Sequence, residues 1–214
     1  LSVFDPESDL SLLHGAAAGV KVAVREHTAQ VLQGAREWAD ESAGRFDLAR
    51  GTGSWHWDGQ AVWRDSADTR LDAGGLAKGY AIDQAVALLR ERGWASGWVN
   101  AGGDLRVYGP LRLPLVLRDE HQGGTRPWAW LQDGAAATSH FGAGARSRLH
   151  TPGAAGPVHP HLSVLAPSAM AADALTKILA QTTDGWHAGL ARHGAEVFFH
   201  APAPAAGRTE ALAA

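Results

Sequence analysis

Leu71-Asp72-Ala73-Gly74-Gly75-Leu76-Ala77-Lys78-Gly79-Tyr80-Ala81-Ile82-Asp83 is the stretch on which the fold turns. An extended run enters it, a glycine pair breaks the run, and a helical period begins at Lys78. From there Ile82, Ala85, Val86 and Leu89 recur on one face and Gly93 follows as a stop, so the spacing predicts a helix over 78–92. A strand that enters a helix through Gly74-Gly75 lets a ligand approach the backbone closely. The helix start offers amides to a phosphate, and Lys78 adds a cation. The same letters fit a tight turn followed by a solvated lysine, and this segment alone does not choose.

Upstream, Val31, Leu32, Ala35, Trp38 and Ala39 stand at helical spacing and Gly44 follows, which predicts a helix over 26–42. Between Arg50 and Ala73, glycines punctuate short aromatic runs, and Asp58-Gly59 marks a hairpin between two short strands. Downstream, 98–107 reads as a strand in which Gly102-Gly103 marks a bulge or a close approach of another group. Further strands are expected at 113–117 and 128–137, with a polar loop over 120–126 between them. The segment 142–160 is rich in Gly, Ala, Pro and His without a period, and reads as a long loop of the kind that often carries function. A strand at 162–166 leads to a helix capped by Ser168, whose inward face is Met170, Leu175, Ile178 and Leu179. A helix over 186–193 and a strand over 196–200 close a single domain of residues 1–201. An Ala/Pro-rich tail spans 202–214.

Composition narrows the function. The chain has 214 residues, of which 45% are hydrophobic and 19% charged, enough for a sizeable core. Its net charge of −3 makes nucleic acid a poor partner, and no apolar run reaches membrane-spanning length. With no cysteine, thiol nucleophiles and thiolate metal sites are excluded, so a bound metal must use oxygen or nitrogen. The chain opens on Leu1 rather than Met, which leaves room for an upstream signal or lipid anchor. The expected setting is outside the cytoplasm, periplasmic or membrane-anchored.

Two more clusters carry chemistry. In Asn100-Ala101-Gly102-Gly103-Asp104, Asp104 either faces a site or closes a bulge. In Ala172-Asp173-Ala174-Leu175-Thr176-Lys177, Asp173, Thr176 and Lys177 share one helix face. A carboxylate beside a hydroxyl suits a hard cation such as Mg²⁺, while an Asp173–Lys177 surface pair explains the same letters. His159-x-His161 is the one tight spacing among eleven histidines, and surface histidines explain it better than zinc. No Gly-x-Ser-x-Gly elbow surrounds a serine, which leaves a hydrolase triad without support.

Taken in order, the segments resemble the FAD:protein FMN transferases, the ApbE family. The landmarks are Phe4-Asp5-Pro6-Glu7-Ser8-Asp9-Leu10-Ser11-Leu12-Leu13-His14, Phe46-Asp47 after the first helix, the Asp72-to-Asp83 segment, and Asn100-to-Asp104. Ala137-Thr138-Ser139, Ser163-Val164 and Ala172-Asp173-Ala174-Leu175 complete the set. The resemblance implies an α+β fold of two intertwined α/β lobes with mixed sheets, a T-fold-like architecture. It implies Mg²⁺-assisted transfer of FMN from FAD to a Thr or Ser hydroxyl of an acceptor protein, with release of AMP. Carried over, Phe4, Phe46, Asp47, Asp72 and Lys78 contact the dinucleotide, Phe4 against the isoalloxazine. Gly75, Asp173 and Thr176 hold the metal, and Asp173 and Arg148 serve catalysis.

The chain departs from the family pattern in three places. Lys177 stands four residues beyond Asp173, where the family has a Thr metal ligand, and Thr176 lies one residue earlier. Arg148-Leu149-His150-Thr151-Pro152-Gly153 replaces a His-x-x-Asp-Pro-x-Thr-Gly segment, with Arg148 nearest the histidine. The stretch between Asp47 and Asp72 is short. A flavin-binding relative without turnover and an FAD pyrophosphatase are the alternatives these departures leave open.

Overall fold

The computed structural model describes residues 1–118, 124–141, 149 and 156–200. The chain opens with α1 (Asp9–Gly15), β1 (Val22–Ala23) and α2 (Glu26–Glu41), then the strands β2 (Trp55–Trp57) and β3 (Ala61–Arg64). A single 3-10 turn, Ala73–Gly75, leads into α3 (Ala77–Glu91). There follow β4 (Gly97–Ala101), β5 (Asp104–Arg118), β6 (Thr125–His140), β7 (His161–Ala166), α4 (Ala169–Leu179), α5 (His187–Arg192) and β8 (Glu196–Phe199). The fold is α+β, as expected. The expected mixed sheets are instead antiparallel at every pairing among the described residues: a three-stranded sheet ordered β1-β3-β2 and a five-stranded sheet ordered β4-β5-β6-β7-β8. Consecutive strands of the larger sheet are neighbours: among the described residues β4 to β7 follow one another with no helix between them, and α4 and α5 lie in the connection from β7 to β8.

Local chemistry accounts for most of the element boundaries. Ser8 caps α1, its Oγ accepting from the Ser11 amide at 3.1 Å, an N-cap the sequence reading passed over because the helix is only seven residues long. Asp58 Oδ1 accepts the amides of Gln60 and Ala61 at 3.1 and 2.9 Å and shapes the β2–β3 hairpin. The expected bulge at Gly102-Gly103 is a two-residue hairpin turn, with φ of 65° and 99° and Ala101 paired to Asp104. Two successive positive φ values suit glycine and match the twist of the strands they join. The strand expected at 113–117 is part of the fifteen-residue β5.

The core lies between the helices and one face of the larger sheet. Leu32 and Val31 of α2, Ile82 of α3 and Leu175, Ile178 and Leu179 of α4 are buried with Ala135, Ala137, Leu162 and Val164 of β6 and β7. Helix α4 packs on β6 and β7 and crosses α3. At that crossing a Cβ on Gly79 would stand 2.3 Å from the Ala169 carbonyl oxygen and 2.7 Å from Met170 Cα, so the helices touch backbone to backbone.

One turn beyond Gly79, Asp83 completes the joint. Its Oδ1 accepts from the Ala169 amide at 2.9 Å and from Arg106 at 2.7 Å, and its Oδ2 accepts from the Met170 amide at 2.9 Å. Ser168 Oγ takes the Ala171 amide at 3.2 Å, and the Ala172 amide reaches Ser168 O at 3.0 Å. Every amide of the first turn of α4 is thereby satisfied, two by the Asp83 carboxylate of α3 and two by the Ser168 cap. The orientation of α4 sets the position of Asp173.

Candidate functional site

Lys78, in the first turn of α3, reaches the β4–β5 hairpin, where its Nζ pairs with Asp104 Oδ2 at 2.5 Å. Asp104 is buried, whereas the Lys78 side chain is 37% exposed and keeps one side toward solvent. Tyr80 N is the first α3 amide given an intrahelical acceptor, Leu76 O at 3.0 Å, so the amides of Ala77, Lys78 and Gly79 precede it. Such amides at a helix start favour phosphate.

Helix α4 brings a second ammonium. Lys177 Nζ donates to Asp173 Oδ1 at 2.5 Å, Ser139 Oγ at 3.0 Å and Thr176 Oγ1 at 3.0 Å. Asp173 is fully buried, and the Lys177 side chain is 16% exposed. Gly75 seats the lysine stem: a Cβ there would lie 3.3 Å from Lys177 Cε and 3.4 Å from Cγ. Asp173 Oδ2 is buried without a hydrogen-bond partner among the described residues.

The four charges act on one another. Burial alone would lower the Lys78 pKa, but the Asp173 and Asp104 carboxylates outweigh it, and Lys78 is held above the ordinary lysine value. Burial, and then the Asp173 charge, push the Asp104 carboxyl up, with Lys78 and Lys177 opposing. Two carboxylates and two ammoniums leave this cluster neutral.

The donor set does not fit the divalent cation that the resemblance implies. Thr176 Oγ1 donates to Asp173 O at 2.8 Å and lies 2.8 Å from Ser139 Oγ, so Ser139 is the donor in that contact. With Ser139 and Lys177 both donating to it, Thr176 Oγ1 has spent both lone pairs. Asp173 Oδ1 serves the ammonium, and a metal on Oδ2 would share one carboxylate with Lys177. A dication about 4 Å from an ammonium meets repulsion of roughly 2 kcal/mol in bulk water and about 8 kcal/mol at an effective dielectric of 20. Among the described residues no group of three His, Asp or Glu side chains is arranged to hold a metal. The expected ligands Gly75, Asp173 and Thr176 are brought together, but around a lysine.

The remaining expected residues divide. Asp72 Oδ1 accepts from the Gly74 amide at 2.8 Å and its Oδ2 pairs with Arg50 at 3.1 Å, on the open side of the glycine turn. Phe4 is 94% exposed, with its ring free of the core. Phe46 is buried in the core, and its ring packs inward rather than toward a ligand. Asp47 is taken up by its own loop, accepting from the Ala49 and Gly51 amides at 2.9 and 3.0 Å and from the Trp55 indole at 3.3 Å. Arg148 lies outside the described residues, as do most of the long loop and the tail. The sequence reading did not assign Asp83 and Ser139 to the site. Asp83 was signalled by its spacing of four from Gly79, and Ser139 by alternation along β6.

The fold is α+β, and the helix start behind the glycine turn brings Lys78 into one charge cluster with Lys177, Asp104 and Asp173. The chain belongs to the ApbE family, whose model matches residues 52–199. Among solved structures it is similar to the flavin transferase ApbE from Vibrio cholerae, with 18% identity, a TM-score of 0.75, and coverage of 93% of this chain and 79% of that one. The apo flavinyl transferase ApbE of Pseudomonas stutzeri matches with 22% identity, a TM-score of 0.74 and coverage of 93% and 76%. The ApbE protein from Thermotoga maritima matches with 23% identity, a TM-score of 0.75 and coverage of 92% and 80%. No curated protein sequence matches. Among the described residues no helix is long and apolar enough to cross a membrane.

Proposed function

We propose that this protein transfers FMN from FAD to a Thr or Ser hydroxyl of an acceptor protein, releasing AMP. The observation that carries the reading is the Asp72-to-Asp83 segment: it forms the glycine turn and opens α3, and its Lys78 joins Lys177 in one charge cluster. Family membership and the likeness to the flavin transferases of Vibrio cholerae and Pseudomonas stutzeri support the same reading.

In this reading the hydroxyl oxygen bonds to the FMN-side phosphorus, the bond from that phosphorus to the AMP oxygen breaks, and the hydroxyl proton is released. Negative charge spreads over the phosphoryl oxygens and the leaving AMP, where a cation in place beforehand is most effective. Lys78, partly exposed and held protonated, faces that charge, while the amides at the start of α3 orient the pyrophosphate. Phe4 offers a free ring face to the isoalloxazine. We place the protein outside the cytoplasm, where an acceptor with an exposed Thr or Ser meets it.

The test is incubation with FAD and a Thr-containing acceptor peptide, with mass spectrometry for peptide-bound FMN and chromatography for AMP. Peptide-bound FMN with stoichiometric AMP supports the proposal. Free FMN with AMP makes the protein a pyrophosphatase, and retained FAD binding without products makes it a binding relative.

A further inference from the structure

We infer that the Lys177 ammonium is a resident cation that takes the place of a divalent metal in this site, so that the protein handles dinucleotide phosphate without bound magnesium. An ammonium has three N–H donors, and here each meets an oxygen: Asp173 Oδ1, Ser139 Oγ and Thr176 Oγ1 at 2.5, 3.0 and 3.0 Å. A solvated surface lysine does not satisfy all three donors on protein oxygens. The shell is complete.

Two of the three oxygens, the hydroxyls, are also held by bonds that do not involve the lysine. Ser139 comes from β6, where its register partner is Leu162, while Asp173 and Thr176 come from α4. The Thr176 hydroxyl is tied to the Asp173 carbonyl, and the Ser139 hydroxyl to Thr176. The hydrogen-bond directions therefore run one way, with oxygen lone pairs converging on Nζ. One carboxylate and two hydroxyls are the donor chemistry a hard cation takes, and the chain fills it with its own side chain. The lysine stem lies against Gly75, where a larger residue would press on Cε and Cγ.

Charge arithmetic favours the same assignment. Asp104 and Asp173 are balanced by Lys78 and Lys177, so a bound dication would leave the cluster with two excess positive charges before substrate arrives. Exclusion of metal follows from this geometry alone; with its three N–H groups spent on protein oxygens the ammonium acts on substrate through its charge, beside Lys78, and that role rests on the flavin-transfer reading above.

The experiment has two independent arms. In the first, Mn²⁺ is titrated into the FAD-free protein, and the electron paramagnetic resonance of free Mn²⁺ is followed for the wild type, Lys177→Thr and Lys177→Met. The wild type is expected to take up no stoichiometric Mn²⁺, and Lys177→Thr to bind one equivalent at least about ten-fold more tightly, a difference of about 1.4 kcal/mol. A wild type that binds one equivalent, with the binding lost in Asp173→Asn, overturns the inference. So does a folded Lys177→Thr or Lys177→Met pair that takes up no more than the wild type, because something other than the ammonium then keeps metal out. Circular dichroism establishes folding, and if neither variant folds, the wild-type titration decides. In the second arm, AMP release from FAD by the wild type is compared in EDTA and in Mg²⁺. Equal rates are expected, and a ten-fold or greater dependence on Mg²⁺ overturns the inference. If AMP appears in neither condition, the flavin-transfer proposal fails while the Mn²⁺ arm still decides this one.

Discussion

Replacing Asp83 with Ala is expected to cost about 3–4 kcal/mol of folding stability. The carboxylate accepts three hydrogen bonds, from the Ala169 and Met170 amides and from Arg106, and its side chain is 15% exposed. Hydrogen bonds to a charged group contribute about 1.5–3 kcal/mol each, but three that share one carboxylate are not additive. Removing one partner of a buried pair costs about 3–5 kcal/mol, and the residual exposure of both side chains argues for the lower part of that range. Asp83→Asn keeps one acceptor and loses the charge, and is expected to cost about 1–2 kcal/mol. Urea denaturation followed by tryptophan fluorescence measures both. In a protein of this size the Ala variant should melt roughly 6–16 °C lower, at about 2–4 °C per kcal/mol. A double-mutant cycle with Arg106→Ala should return a coupling of about 1–3 kcal/mol. An Asp83→Ala protein within about 1 kcal/mol of wild type, with unchanged denaturant slope, would refute the view that this carboxylate joins α3 to α4.

Three further outcomes follow from the same geometry. Gly79→Ala places a methyl group against the Ala169 carbonyl and Met170 Cα, backbone atoms that cannot swing away, and should lose about 2–3 kcal/mol or more despite better helix propensity; a variant melting with the wild type would show that the crossing relaxes freely. Phe4→Ala should weaken FAD binding by about 0.5–1.5 kcal/mol, read by flavin fluorescence titration, and unchanged affinity would remove Phe4 from the site. His200, 2.8 Å from Ser163 Oγ, is held down at about 4 by burial, then by His161 and Arg126. Since the unfolded value is near 6.5, the unfolded state takes up the proton first as pH falls, and stability should decline between about 6.5 and 4 and level off below. The loss is at most about 3 kcal/mol, less with solvent screening. His200→Gln should flatten that decline in urea titrations at successive pH values, and an equally steep decline would refute the assignment.

Helices α2, α3 and α4 and most strands were legible because their periods are strong, the helices starting within a residue or two of the apolar pattern and its caps, whereas the short α1 was not read. Gly102-Gly103 was misread because strand-like letters flank it on both sides. A bulge and a two-residue hairpin turn then differ only in backbone angles, which one sequence does not display. Lys78 and Asp104 were visible as motif members, but their pairing depends on where the β4–β5 hairpin falls relative to α3. Lys177 drew notice through its departure from the family pattern. Alternation along β6 put Ser139 on the buried face with Ala135 and Ala137, but which helix covers that face, and so that Ser139 is the third oxygen, was not legible. Phe46 and Asp47 came from resemblance alone, and there burial and local turn bonding account for both residues.

Because α3 meets α4 backbone to backbone at Gly79, the helix crossing sets how far apart the backbones that carry Lys78 and Lys177 stand. Connecting segments can lengthen, shorten or change composition without changing that separation, whereas a single methyl group at the crossing alters it. The molecule is modular in this sense. On the proposed function, loops that meet an acceptor could diversify around a pair of lysines whose helices they do not position.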